Sequence, residues 1–138
     1  RLTLKAKPGT SSRAQRDERG SVSIELVILL PALFAVMFLG MQAALFYHAR
    51  TVAIAAAQEG AKAAGGENGK EADGVSAASS FVDEAGGDDV LPGATATANR
   101  TATTVTVTVR GHSLSVIPGW TPVIIHSASL PVERLTAP

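Results

Sequence analysis

The 138-residue sequence contains no cysteine and few aromatic residues. Without cysteine, the chain forms no disulfide, no thiolate metal site and no cysteine nucleophile. Aromatic residues make up only 4% of the chain, although 46% of it is hydrophobic, because alanine occupies 24 positions. This composition argues against a compact enzyme with an aromatic-rich core around a buried cleft. The length allows at most one modest domain.

The chain also has no net formal charge, but its charges are unevenly placed. Residues 1–20 carry six basic and two acidic side chains, a net charge of +4. Residues 51–138 carry five basic and nine acidic side chains, a net charge of −4. A basic flank, an apolar run and an acidic remainder are typical of a membrane protein whose basic end stays in the cytoplasm. Because orientation and anionic headgroups account for the basic flank, no nucleic-acid partner is predicted.

The apolar run between these flanks is long enough to cross a membrane. It extends over 22 uncharged residues, Leu26–Tyr47, in which Gln42 is the one strongly polar side chain. As a helix this run would be about 33 Å long, which covers a hydrocarbon core of about 30 Å. Pro31 lies in its first turns, where it is expected to bend the helix. The run predicts a single membrane span, with the N-terminus in the cytoplasm and the C-terminal domain outside.

A cleaved secretory signal peptide is the alternative interpretation of this run. The apolar part of a signal peptide has about 7–15 residues, which is shorter than Leu26–Tyr47. Small residues that suit a signal peptidase do follow the run, around Ala55–Ala57. A secreted binding domain or small enzyme released there therefore stays open as an alternative.

A carboxylate, Glu25, directly precedes the apolar run. One interpretation is local: Ser23 caps the helix, and Glu25 is an acid in the first turn, where the helix dipole favours it. The other uses a longer string, in which Arg19 and Gly20 are followed by four residues and then Glu25. This string resembles the processing site of type IV pilin-like proteins. The resemblance implies that a prepilin peptidase cuts between Gly20 and Ser21, and that Glu25 pairs with an ammonium group freed at Ser21.

Small side chains recur along the run and beyond it at helical spacing. Gly40 and Ala44 form a small-xxx-small pair of the kind that lets membrane helices approach closely. Beyond the run, small residues at steps of three and four form one face of the continuing helix: Ala49, Val52, Ala53, Ala56, Gly60 and Ala63. Such a face buries little area but admits another helix or a sheet at short distance. We predict that it serves tight lateral packing between helices.

Three features together resemble the TadE-like family of the tight adherence (Tad or Flp) pilus system. They are the string from Glu18 through Gly20 to Glu25, the apolar helix with Pro31, and the segment Gln58–Ala64. The resemblance implies a minor pilin or pseudopilin of a surface pilus or related secretion apparatus. Its implied partners are the membrane, other pilin-like subunits, the pilus assembly platform and a prepilin peptidase. Leu26 stands where the major pilins of this system usually carry tyrosine, which favours a minor component.

The rest of the chain predicts a small domain that contains both helix and sheet. Glu71–Ala85 reads as a short helix that the glycines Gly86 and Gly87 end. Threonine and valine alternate strictly over Thr104–Val109, which predicts a strand with valine on one face. The other predicted strands are Thr95–Ala98, Ser113–Ile117 and Val123–Val132, with a turn at Asn99 and Arg100. The fold class is therefore α+β: a long N-terminal transmembrane helix continues into a small antiparallel sheet domain with one short helix, as in pilins.

No constellation of residues in this domain predicts chemistry. His112 and His126 are fourteen residues apart and have no acid pair at ligand spacing, so no metal site is predicted. The acidic residues of the segment 83–89 lack the ligand order of a calcium loop. The sequence also has no phosphate-binding glycine pattern and no nucleophile elbow. We therefore expect no cofactor and no enzymatic activity.

These observations divide the chain into three predicted parts. Residues 1–20 are a basic cytoplasmic leader, residues 21–64 a long helix with the membrane span at 26–47, and residues 65–138 a small extracytoplasmic α+β head. The predicted function is that of a TadE-like minor pilin or pseudopilin in the cell membrane, open to incorporation into a surface pilus. An uncleaved, membrane-anchored accessory protein is an alternative, as is the secreted domain.

Overall fold

The computed structural model describes the backbone of residues 8–133 and the side chains of residues 19–133. Its elements in chain order are helix α1 (Pro8–Gly65), helix α2 (Glu71–Glu84), a short 3-10 helix (Gly87–Asp89) and strands β1 (Thr95–Arg100), β2 (Thr104–His112) and β3 (Val123–Pro131). The chain divides into an N-terminal unit that ends at Leu39 and a C-terminal unit that begins at Gly40. The first seven residues of the predicted leader lie outside the described residues. The predicted α+β class is confirmed.

Helix α1 begins earlier than the sequence predicted. Its first residue is Pro8, whose missing N–H and fixed φ suit the start of a helix. The helix then runs through Gly20 without a break. The interpretation of Ser23 as an N-cap is therefore wrong, and so is that of Glu25 as a first-turn acid. Both residues lie inside the helix, where every backbone group already has a helical partner.

The described part of the N-terminal unit is an apolar helix with its side chains exposed. Residues 19–39 are all exposed, including the large side chains of Val22, Ile24, Leu26, Val27, Ile28, Leu29, Leu30, Leu33, Phe34, Val36, Met37, Phe38 and Leu39. Within the described residues, one helical stretch, Arg19–Gly65, is long and apolar enough to cross a membrane, and its most apolar window has a mean hydropathy of 2.5. Because such a surface is unfavourable in water, it indicates membrane anchoring.

The C-terminal unit contains a three-stranded antiparallel sheet in the order β1-β2-β3. The predicted alternation along β2 is confirmed: Val105, Val107 and Val109 are buried, whereas the threonines between them face outward. Strand β3 also agrees with the prediction to within one residue at its end. Its last residue, Pro131, is tolerated there because β3 is an edge strand.

Two predictions for the sheet were wrong. Asn99 and Arg100 belong to β1 and pair with β2, so the turn lies at residues 101–103 instead. Thr101 makes this turn, because its hydroxyl accepts the Thr104 N–H at 3.0 Å. Residues 113–117 form a loop rather than a strand. The Leu114 carbonyl and the Val116 N–H of this loop make hydrogen bonds with the side chain of Gln42 in α1 instead of with a neighbouring strand.

Helix α2 confirms the predicted short helix. The Asp73 carboxylate accepts the Lys70 N–H at 2.9 Å at its start, and Gly86 follows its end with a φ of 130°. The Glu71 carboxylate accepts the Arg100 N–H at 2.9 Å and so joins the start of the helix to the end of β1. The helix buries Ala78 and Val82 on the face that belongs to the core.

The core of the C-terminal unit lies between α1, α2 and the sheet, and it depends on glycine at two contacts. A Cβ atom on Gly60 would lie 2.7 Å from the Gly74 carbonyl oxygen and 2.8 Å from Val107 Cγ1. A Cβ atom on Gly74 would lie 2.8 Å from Ala64 Cβ. The two helices therefore touch through their backbones, a separation that any larger side chain would prevent. The buried residues of this core are Ala49, Val52, Ala53, Ala56, Ala57, Ala61, Ala64, Ala78, Val82, Leu91, Val105, Val107, Val109 and Ile124.

Candidate assembly site

The predicted processing string lies on an accessible stretch of α1. Gly20, Ser21 and Glu25 are all exposed, and a Cβ atom on Gly20 would meet nothing within 4 Å. Ser21 and Glu25 are four residues apart in a continuous helix, so they share one face. A group freed at Ser21 would therefore stand one helical turn from the Glu25 carboxylate.

Glu25 is a charged side chain in an apolar neighbourhood. Val22, Leu26 and Leu29 surround it on the exposed helix. Within residues 19–133, whose side chains the structure describes, Glu25 has no ion-pair partner. An unpaired carboxylate is costly near the hydrocarbon of a membrane, so a position near the interface or a positively charged partner would be favourable for Glu25.

The predicted small-residue face divides into two parts. Ala49, Ala53, Ala56 and Gly60 are buried inside the C-terminal unit, in the core that α2 and the sheet complete. The close approach expected for these four residues is therefore made within the chain. Gly40 and Ala44 are exposed, and nothing lies within 4 Å of a Cβ atom on Gly40. They keep a small-residue surface that another helix can approach.

The buried face of α1 is also wider than the sequence indicated. Ala57, Ala61 and Ala64 lie beside the predicted stripe and are fully buried, whereas Ala63, which was assigned to the stripe, is half-buried. A narrow stripe of small residues is enough to contact one neighbouring element. Here two elements, α2 and the sheet, pack against the same helix and cover a broader arc of its surface.

Sequence reasoning missed the structural role of Gln42. Its side chain is 2% exposed and holds the loop after β2 through hydrogen bonds at both ends of its amide. The amide nitrogen donates to the Leu114 carbonyl at 3.1 Å and to the Ser113 hydroxyl at 3.3 Å, and the amide oxygen accepts the Val116 N–H at 2.9 Å. The available signal was that Gln42 is the one strongly polar residue of the apolar run, since a buried amide needs partners.

The histidine and acidic side chains considered as ligands in the C-terminal unit lie at separate places in the structure. Among the described residues, no group of three or more histidine and acidic side chains is arranged to hold a metal ion. Asp88, from the acidic segment, accepts the Gly93 N–H at 3.3 Å and so closes a loop. His112 and His126 lie at separate positions on β2 and β3, where they pair with Val123 and Val109.

The comparison with protein families gives one match, which lies on α1 and crosses the boundary between the two units. Residues 20–62 match the family described as TadE-like protein. No curated protein and no solved structure gives a significant match. The matched segment starts at the glycine of the processing string and ends in the part of α1 that the core buries. The family match supports a protein associated with a Tad pilus and anchored in the membrane. The resemblance drawn from the sequence is thus confirmed over residues 20–62, which are similar to TadE-like proteins.

Proposed function

We propose that this protein is a TadE-like minor pilin or pseudopilin, a structural or assembly component of a Tad/Flp-type pilus or related secretion apparatus. One observation carries the proposal: the Gly20-to-Glu25 string opens the TadE-like match and stands at the start of an exposed apolar helix. The role is mechanical rather than enzymatic. The exposed apolar part of α1 is held in the membrane or in a filament, and the folded C-terminal unit is available for contacts with other subunits.

The charge asymmetry supports an N-terminus in the cytoplasm. Six basic side chains precede the apolar helix within residues 1–20, and a net charge of −4 follows it in residues 51–138. Basic residues next to a span are retained on the cytoplasmic side. The C-terminal unit then lies outside the membrane, where other pilin-like subunits and the assembly platform are its proposed partners.

Processing after Gly20 is the proposed first step. Glycine weakens a helix by about 1 kcal/mol relative to alanine, so Gly20 favours the local opening that a peptidase needs to reach the backbone. Hydrolysis of the Gly20–Ser21 peptide bond leaves a carboxylate on Gly20 and an ammonium group on Ser21. The new ammonium group supplies a positive charge for Glu25, which has no ion-pair partner among residues 19–133. The pair can form within one subunit or between neighbours in a filament.

The lateral contacts of the proposed assembly begin at Gly40 and Ala44. These two residues are exposed, whereas the small residues farther along α1 already pack in the core of the C-terminal unit. A neighbouring helix would therefore meet the apolar surface up to this pair. Beyond the pair, contacts between subunits would involve other surfaces of the C-terminal unit.

The experiment that tests processing is mass spectrometry of the N-terminus of the protein recovered from native membranes. A mature chain that starts at Ser21 supports prepilin-type processing. An intact leader would instead favour the uncleaved accessory protein. A start near Gln58 would mean a secreted domain, but release there would remove Ala49, Val52 and Ala53 from the core, so we expect it least.

A second experiment tests the charge pair. The variant Glu25→Ala should insert into the membrane normally but fail to enter the filament or its subassembly, because the Ser21 ammonium group loses its partner. The matched control is Glu59→Ala, which removes an exposed carboxylate whose partner is the surface residue Lys62 at 3.4 Å. Co-purification of each variant with pilus subunits is the measurement. Equal recovery of both variants would contradict the charge-pairing role of Glu25.

A further inference from the structure

The loop held by Gln42 and the start of β3 form an exposed apolar surface whose own residues are uncharged; the exposed Arg110 of β2, which pairs with Ile125, borders it. Residues 111–132 contain no lysine, arginine, aspartate or glutamate. Within this stretch Trp120 is 49% exposed, Val123 49% and Ile125 52%, and three further apolar side chains are half-buried: Leu114, Val116 and Ile117. We call these six residues the apolar loop surface. Its composition differs from that of the rest of the C-terminal unit, whose exposed residues are mainly polar.

The position of this surface follows from Gln42. That residue lies two positions after the start of the C-terminal unit and inside the uncharged run Leu26–Tyr47. Its amide bonds the backbone of Leu114 and Val116 directly, at 3.1 and 2.9 Å. The loop is therefore fixed beside the last turns of the apolar run. From Gln42 to Tyr47 the helix rises by about 8 Å, which is close to the thickness of one headgroup layer.

The outer face of the sheet changes from polar to apolar residues toward the loop. In its central part, hydroxyl groups pair across β2 and β3: Thr106 with Ser129 at 2.8 Å, and Thr108 with Ser127 at 2.7 Å. Toward the loop, the exposed positions of β3 become Ile125 and Val123. The large exposed aliphatic side chains of this face, Val123 and Ile125, thus lie at the end that carries Trp120.

We propose that the apolar loop surface lies in the headgroup layer of the membrane and docks the C-terminal unit on the lipid. Tryptophan is enriched at this depth, because its ring is apolar while its N–H group still reaches water. A lipid surface also fits better than a protein partner. Three exposed side chains are far fewer than the roughly 20 residues a stable protein interface uses per side, whereas the chain's own apolar run brings lipid to the loop in every copy. The proposal depends on membrane anchoring and is independent of a role in a pilus.

The test uses the full chain reconstituted in phosphatidylcholine vesicles. Trp120 is the single tryptophan of the sequence, so its fluorescence reports on the loop without any substitution. Phosphatidylcholine brominated on its acyl chains quenches a tryptophan that touches the membrane, and iodide on both sides of the vesicle quenches one in water. The control chain combines Trp120→Phe with Thr103→Trp, which moves the tryptophan to the exposed turn at the other end of β2.

The expected result is an opposite response of the two chains. Brominated lipid should quench the native chain at least about twofold more strongly than the control chain, and iodide should do the reverse. Equal quenching of both chains by brominated lipid would overturn the proposal. Protection of Trp120 from both quenchers would also overturn it, since that result means that protein, such as a second copy of this chain, covers the loop. The native chain alone decides the question if the control chain does not fold.

Discussion

The two units of this protein use the same residue types for opposite purposes. Val27 in the N-terminal unit is 71% exposed, whereas Val107 on β2 is fully buried. The C-terminal unit buries Val52, Val82 and the valines of β2 between helices and a sheet, as a water-soluble domain does. The N-terminal unit leaves its valines, leucines and phenylalanines outside, where only a membrane or another helix can cover them. Apolar content therefore says little until the surroundings of each stretch are known.

The largest effect that we expect from a single methyl group is at Gly60, where α1 is packed, and not at Gly40, where α1 is exposed. Gly60→Ala should lower the free energy of opening of β2 by about 2–3 kcal/mol, because the new Cβ atom would overlap the Gly74 carbonyl and Val107. Amide hydrogen exchange of β2 in detergent micelles measures this energy. The control is Gly40→Ala, which meets no atom within 4 Å and should stabilise the helix by up to about 1 kcal/mol. A neutral Gly60→Ala would contradict the backbone contact between α1 and α2.

A pair of valine substitutions sharpens the same comparison. Val107→Ala should destabilise the C-terminal unit by about 2 kcal/mol, because it leaves a cavity in a core built largely from alanine and valine. Val27→Ala should leave the stability of that unit unchanged, since its side chain is exposed on the N-terminal unit. Denaturant titration followed by circular dichroism measures both. Similar losses in the two variants would mean that the units do not fold separately.

Gln42→Leu tests the hydrogen bonds that hold the loop. Removing the amide leaves the Val116 N–H without its partner and should destabilise the C-terminal unit by about 1–2 kcal/mol. Gln58→Leu makes the same substitution at an exposed position of α1 and should have no effect. Protease sensitivity of the loop around Pro118, compared between the two variants, is a direct measurement. An unchanged cleavage rate in the Gln42 variant would contradict the conclusion that the Gln42 side chain holds the loop in place.

The smallest effect is expected on the outer face of the sheet. The hydroxyl groups of Thr108 and Ser127 are 2.7 Å apart but exposed, so water replaces either partner. The double variant Thr108→Ala and Ser127→Ala should change the melting temperature only slightly, by the equivalent of about 0.5 kcal/mol at most. A larger loss would show that this face is covered in the protein as it exists in the membrane.

The local patterns of the sequence were sufficient for most elements of the fold. The alternation of β2, the short helix α2 and the long apolar helix all follow from periods of two or of three to four residues. The loop at residues 113–117 escaped this reasoning, because its apolar side chains mimic a strand while its hydrogen bonds go to Gln42, 74 residues away from Val116. The start of α1 also escaped it. Helix ends are hard to place from capping residues alone, and here the helix continues N-terminally past the predicted cap at Ser23.

The candidate site could be predicted only as far as it depends on neighbouring residues in the chain. Gly20, Ser21 and Glu25 are close because a helix places them there, so the string itself carries the information. The packing partner of the small-residue face could not be predicted in this way. The composition and spacing of Ala49, Ala53, Ala56 and Gly60 predict only that some element packs closely against them. The same pattern fits a helix of a second subunit and the chain's own sheet, so the sequence alone could not say which one it is.

The sequence by itself determined that the chain has a helix long and apolar enough to cross a membrane, which end of that helix is basic, and that its last part is α+β. These properties follow from composition, charge and periodicity, which act over a few turns of helix or one strand. Only the tertiary structure decided how much of α1 belongs to the folded unit. That boundary depends on contacts such as Gln42 with Leu114 and Gly60 with Gly74, and the residues in each contact are far apart in the chain. Burial is a property of the assembled surfaces, and no local pattern contains it.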